Sequence, residues 1–459
     1  MTGPLPALVS ASSLATRSRQ AAPLWMDLAY AGVGLAATIP WAIVDSWLLY
    51  FYLPPGENGA RVPAVFYGAP VAVACVVNIV LCPVVGHLSD VARSRWGRRR
   101  PFIAVGALLL VAAFALLWQP PVAGNSALNL IYLMAILTLY NIACSMVTIP
   151  LNSLLPELAR SEYHRVRLAT AWAGAQMLGI LLAALAGPLI QQIGYVPMAR
   201  LYAAIALPFF YLPLPALREP PHRPISPESR PGFGASLALA VQNRSFRILT
   251  AVGLCTGLAL AVVLLIMPFL VTEICTLGQA DSAWFFGAAV ITSLICYPAV
   301  TGLSQRFGKR RVLTGALGLS ALALPVLALI GPWWRLPPLL QGLLGVTLVS
   351  AVAAPISVLP PAFIADLTDA DARRTGQRRE GAFYSVWVLQ SQLVTGIAAM
   401  VTPVILLLGR SRLDPAGPLG VRAAIVFGGC LYGLAYLFFR RYPPALVFEP
   451  RSGHPDHPA

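Results

Sequence analysis

The sequence predicts an all-α membrane protein whose twelve transmembrane helices form two pseudo-symmetric six-helix bundles. Three observations predict it: a composition too poor in charge to face water, twelve apolar stretches of spanning length, and cations confined to alternate connections. Hydrophobic residues make up 58% of the 459 residues and charged residues 11%. A soluble domain carries roughly 25% charge, so this chain could not cover a water-facing surface. It can face lipid. The 41 prolines and 37 glycines fit the same setting, because neighbouring helices and local backbone adjustments re-satisfy the groups that such residues disturb.

A span needs about 20 mostly apolar residues. Six candidates occupy 24–53, 63–89, 101–120, 127–156, 165–192 and 197–217. A polar, Pro-rich stretch follows at 218–243, and six more candidates occupy 245–274, 281–304, 310–332, 337–364, 379–409 and 419–440. The expected organisation is a disordered tail (1–22), a first bundle (23–217), a linker (218–243), a second bundle (244–441) and a tail (442–459). Residues 1–22 lack a clean apolar core followed by a cleavage site, so they do not read as a signal peptide.

Basic residues crowd 93–100, 160–167, 218–230, 306–311, 373–379 and 440–441, while 121–126 and 275–280 carry no charge. The positive-inside rule then puts both termini in the cytoplasm, at an inner or plasma membrane. The formal net charge of +15 belongs to these loops, so nucleic acid is not an expected partner. The seven cysteines lie in or beside apolar stretches without metal spacing and read as small buried hydrophobes. The five histidines are spread through loops and tail, with no constellation suited to a membrane enzyme, and no phosphate-binding loop is present. No metal, cofactor or catalytic residue is expected.

The halves echo each other. Gly86, Ser89 and Asp90 lead into Arg95, Gly97 and Arg98–Arg100 after the second span. Gly302, Ser304, Gly308 and Lys309–Arg311 repeat the pattern after the eighth. Pro150, Asn152, Ser153 and Pro156 in the fourth span are likewise matched by Pro355, Ser357 and Pro360 in the tenth. Two such bundles around a central pathway give the geometry of alternating access.

The run Gly86-x-x-Ser-Asp90-x4-Arg95-x-Gly97-Arg-Arg-Arg100 resembles the signature between helices 2 and 3 of the major facilitator superfamily. In physical terms, Gly86 permits close helix approach, Asp90 sits within reach of loop guanidiniums, and Gly97 makes the turn into the next helix. Arg–carboxylate pairs at Arg95, Arg98 and Arg99 would form a breakable latch at the cytoplasmic face. Three segments narrow the resemblance to the glycoside–pentoside–hexuronide:cation symporters and plant sucrose carriers. They are Arg98–Pro101 with Phe102, the stretch from Ile149 through Pro156 to Arg165 and Leu168, and the stretch from Ala365, Asp366 and Asp369 to Arg379, Glu380 and Tyr384. By the same likeness Asp366, Arg379 and Glu380 form a second latch, with Arg373 and Arg374 near Asp366 and Asp369.

The resemblance implies a secondary transporter, and the departures from it matter. Where the family's sugar carriers place two helix-2 carboxylates ahead of Pro83, this chain has Asn78 and Cys82. The helix-1 and helix-4 acids fall on Thr38 and Thr148, the helix-5 arginine near Ala173, and the helix-11 lysine on Gln392. The sodium-site charges are gone.

Asp45 is the one acid well inside an apolar stretch. A carboxylate there costs about 2.5–3.5 kcal/mol to insert, so it faces a cavity or a partner, and out of water it holds a proton more readily. It is the candidate coupling residue, unless it sits solvated at the outer mouth or caps a kink after Pro40. Neutral candidates for solute contact are Asn152, Gln392, Asn78 and Gln176, with the indoles of Trp172 and Trp387. Asn141, Gln390 and Trp41 are further lining candidates. Amides hydrogen-bond polar ligands and indoles stack on sugar faces.

The expected function is a secondary active transporter of a small organic solute, a sugar or glycoside, with H⁺ as coupling ion and lipid as the surrounding partner. Two alternatives stay open: an exporter of a larger or more apolar metabolite, and a non-transporting sensor or assembly factor on the same scaffold.

Overall fold

The computed structural model describes residues 24–55, 59–92, 94–158, 162–215, 244–331, 335–375, 380–408 and 418–443. The tail 1–22, the linker 218–243 and most of the tail 442–459 lie outside the described residues. The described chain is helical, with no strand among the described residues.

The first half comprises α1 (Leu24–Tyr52), α2 (Gly68–Val91), α3 (Arg100–Leu116), α4 (Ala127–Leu158), α5 (Glu162–Ala184, continued by Ala186–Ile193) and α6 (Tyr195–Tyr211). The second comprises α7 (Arg244–Phe269), α8 (Ser282–Phe307), α9 (Lys309–Val326), α10 (Pro338–Thr375), α11 (Glu380–Leu406) and α12 (Pro418–Arg440). Ten of these segments are long and apolar enough to cross a membrane. The other two predicted spans, α3 and α6, are helices of 17 residues, at the lower limit for a bilayer core.

Each half is wired the same way. In the first, α1 packs on α5 and α6, α4 on α2 and α3, and α3 on α6. In the second, α7 packs on α11 and α12, α10 on α8 and α9, and α9 on α12. The connections follow the repeat too. Gly97 (φ +103°) turns the chain into α3, as the sequence predicts, and Gly308 (φ +84°) does the same before α9. Such φ values suit glycine, which has no Cβ to clash. Prolines sit inside several spans, among them Pro40, Pro83, Pro298 and Pro355. One break was not foreseen: after Pro268, α7 widens into a π turn over Leu270–Ile274. There the Cys275 N–H donates to Leu270 O at 3.0 Å and the Thr272 hydroxyl donates to Pro268 O.

The halves meet along α1–α7, α2–α11 and α5–α8. At the start of α2 the approach is backbone to backbone. A Cβ on Gly68 would overlap the Met400 backbone and lie 2.9 Å from Ala399 O. Gly86, expected to permit close approach, is not required to be glycine: a Cβ there would touch Ile149 at an ordinary 3.7 Å.

Gly68→Val is therefore expected to lower stability by about 1–3 kcal/mol by overpacking, read as a fall in melting temperature in detergent. Gly302→Val, where nothing lies within 4 Å, is expected to leave it unchanged.

Candidate functional site

A cavity of about 590 Å³ lies between the halves, within the 300–1,000 Å³ typical of small-molecule sites. α1, α2, α4 and α5, with Leu110 of α3, line it on one side, and α7 and α11 on the other. Its Lys/Arg-poor end is capped by rings. Trp47 and Tyr50 of α1 pack edge to face at 5.7 Å, and Tyr50 meets Phe269 of α7 at 4.8 Å. Beside them the Ala280 N–H donates to Gln191 Oε1 at 2.7 Å, and Gly187 lies against Ser282 so closely that a Cβ would overlap it. These contacts join the two halves without a single charge.

Asp45 lines the cavity below this cap. It is the one charged residue among the described lining residues, and among the described residues it forms no ion pair. Close by, Tyr67 just before α2, Cys75 on α2, and Tyr140 and Cys144 on α4 share the wall. All are neutral.

The positions where the resemblance places sodium-site carboxylates are occupied by a closed neutral network. Asn78 is 4% exposed, and its Oδ1 accepts from Ser145 at 2.6 Å and from the Cys82 thiol at 3.6 Å. This ties α2 to α4. The hydroxyls of Thr38 and Thr148 donate back to their own helices, to Gly34 O at 2.8 Å and Cys144 O at 2.9 Å.

Trp172, Gln176, Trp387 and Gln392 all line the cavity, together with Trp41, Asn141 and Gln390. The two indoles are placed by matching contacts. A Cβ on Gly34 of α1 would lie 2.6 Å from the Trp172 ring on α5. In the second half a Cβ on Gly253 of α7 would lie 3.2 Å from the Trp387 ring on α11, and would overlap the Gln390 amide. Each indole thus depends on a missing side chain opposite. Asn152 is exposed and is not among the residues that line this cavity; it falls further along α4 than Ser145 and Thr148.

The expected latches are only partly within view. The side chains of Asp90, Arg379 and Glu380 lie outside the described residues. Arg95 is exposed, and Arg99 is buried with its Nη1 donating to Ser153 O of α4 at 2.8 Å, a contact inside its own half. Arg98 is half-buried. Asp366 pairs with Lys309 of α9 at 2.9 Å rather than with Arg373, which is exposed; the Arg374 side chain lies outside the described residues. Lys309 opens α9 and so meets the far end of α10 directly.

One charged cluster escaped the sequence reading. Asp27, 1% exposed near the start of α1, accepts from His164 Nε2 at 2.9 Å and pairs with Arg167, both on α5. His164 is therefore buried and not a loop residue. The signal available was Asp27 at the end of an apolar run facing the basic stretch 160–167, but nothing local said that the two meet. Tyr140 escaped too, being indistinguishable by sequence from a core tyrosine.

Residues 29–437 match the family model described as MFS/sugar transport protein. The chain is 22% identical to the isoprimeverose transporter of Lactiplantibacillus pentosus over 84% of this chain and 80% of that protein. It is 24% identical to the glucuronide carrier protein homolog of Escherichia coli over 78% and 80%. Among solved structures it resembles a D-xylose-proton symporter, with TM-score 0.65 and 16% identity over 93% of this chain and 99% of that one.

Gly253→Ala is expected to displace the Gln390 amide and the Trp387 ring and to weaken solute binding roughly tenfold, an effect of about 1.4 kcal/mol. Gly174→Ala, where nothing lies within 4 Å, serves as the control, and solute-dependent shifts in melting temperature read both.

Proposed function

We propose that this chain, which belongs to the MFS/sugar transport protein family, is a secondary active transporter that carries a sugar or glycoside by alternating access, with proton movement at Asp45 as the driving step. One observation carries the reading: a lone carboxylate on the wall of a cavity that lies between two like-wired halves and is capped at one end.

A carboxylate in a low-dielectric cavity has two ways to avoid the cost of its charge, a cation or a proton. No basic side chain lines the cavity among the described residues, and the sodium-site positions hold Asn78 and Cys82. A proton is the simpler partner. Asp45 protonated is a neutral donor that lets the halves rearrange; Asp45 ionised requires the cavity to stay wet. The proton then enters with the solute from one face and leaves to the other.

With the Lys/Arg-rich connections in the cytoplasm, the ring cap lies on the outer face and this conformation is inward-facing. The neutral cap then opens in the other state, and the Lys309–Asp366 pair and the Arg99 contact to α4 stiffen the cytoplasmic ends of each half as they rock. The polar groups of Gln176 and Gln392 meet the solute's hydroxyls, while Trp172 and Trp387 cover its apolar ring faces. Sugar substrates named for the relatives support this class.

Asp45→Asn is expected to abolish solute uptake driven by a pH gradient, a loss of at least about a hundredfold, while solute exchange at equal pH continues. Radiolabelled flux in proteoliposomes distinguishes the two. Gradient-driven uptake that survives the substitution would sink the proton assignment.

A further inference from the structure

The charge of the cavity is one-sided, and several of its hydroxyls are already committed. Thr38, Thr148 and Thr395 spend their hydroxyl protons on carbonyls of their own helices, at Gly34, Cys144 and Ser391. Ser145 spends its proton on Asn78 Oδ1, and Asn141 donates through its amide to Leu137 O at 3.0 Å. What these groups turn toward a ligand is oxygen lone pairs. Asp45 adds a carboxylate to the same wall, and no Lys, Arg or His lines the cavity among the described residues. The remaining donors are neutral: the amides of Asn78, Gln176, Gln390 and Gln392, the indole N–H groups of Trp41, Trp172 and Trp387, and the hydroxyls of Tyr67 and Tyr140.

We propose that this cavity selects solutes that carry no negative charge, so that it accepts neutral or ammonium-bearing glycosides and refuses hexuronides and sugar phosphates. The inference rests on the sugar reading above and narrows its substrate class. A uronate carboxylate only accepts hydrogen bonds. Inside this cavity it would lose its water, find no cation and face Asp45. Burying such a charge unpaired is costly, and like-charge juxtaposition adds to it. Protonation of Asp45 removes the repulsion but supplies no counter-ion. A hydroxyl or ammonium in the same place finds acceptors already aligned. Discrimination of this kind comes from what the site refuses as much as from what it holds, and it sets this chain apart from its Escherichia coli relative, a glucuronide carrier protein homolog.

Three ligands differing only at carbon 6 test the inference on the full-length protein in detergent. They are phenyl β-glucoside, its 6-amino-6-deoxy analogue and phenyl β-glucuronide, with affinity read from calorimetry or ligand-dependent melting at pH 7.5. The glucuronide is expected to bind at least about thirtyfold more weakly than the glucoside, and the amine at least as tightly as the glucoside. In Asp45→Asn the amine should lose its advantage and the glucuronide deficit should shrink several-fold. A glucuronide within threefold of the glucoside in the unmodified protein overturns the proposal while leaving the sugar reading intact. So does a deficit that Asp45→Asn leaves unchanged. If none of the three binds, the sugar reading itself fails and the charge selection falls with it.

Discussion

A carboxylate that has left water must have a partner, and in this protein Asp45 has none among the described side chains. The energy of an uncompensated charge in a membrane interior is several kcal/mol at least. That single constraint organises the site. The neutral walls give no cation to hold Asp45 ionised, and on the proposed reading the state of its proton and the wetness of the cavity change together. The buried acid of the other kind, Asp27, shows the contrast. With His164 and Arg167 at hand, it joins α1 to α5 and has no such freedom.

The architecture around Asp45 suits a movement of two rigid bodies. Both halves repeat the same five helix pairings, and their inner helices hold an indole against a glycine in matching places. Within each half the contacts are close-packed or charged, as at Asp366–Lys309 and Asn78–Ser145. Between the halves, at the capped end, they are rings and neutral hydrogen bonds, among them Ala280 N–H to Gln191 and the Tyr50 hydroxyl to Thr272. Neutral contacts are cheap to break and to remake, so the weaker interface lies where a pathway has to open. Packed halves do not deform continuously; they exchange between discrete arrangements.

Much of the fold was legible in the sequence because lipid imposes strong rules on composition and length. The spans, the repeat and the turn at Gly97 follow from those rules. The site was legible in part. Asp45, Gln176, Trp172 and Trp387 stood out as costly or bulky groups in apolar helices, and all line the cavity. Asn152 was singled out by its position in the family pattern; it shares the face of Ser145 and Thr148 but falls a turn further along α4 than the residues that line the cavity. The Asp27 cluster and the Lys309–Asp366 pair were missed because they join residues far apart in the chain. The π turn after Pro268 was missed because proline announces a lost hydrogen bond but not how the backbone replaces it.

The most direct test of the central claim is the number of protons moved per solute in sealed proteoliposomes, taken from the pH gradient that just balances an opposing solute gradient. One unpaired carboxylate predicts one proton per solute, the same with or without Na⁺. A ratio of zero, with flux that follows a sodium gradient instead, would contradict it.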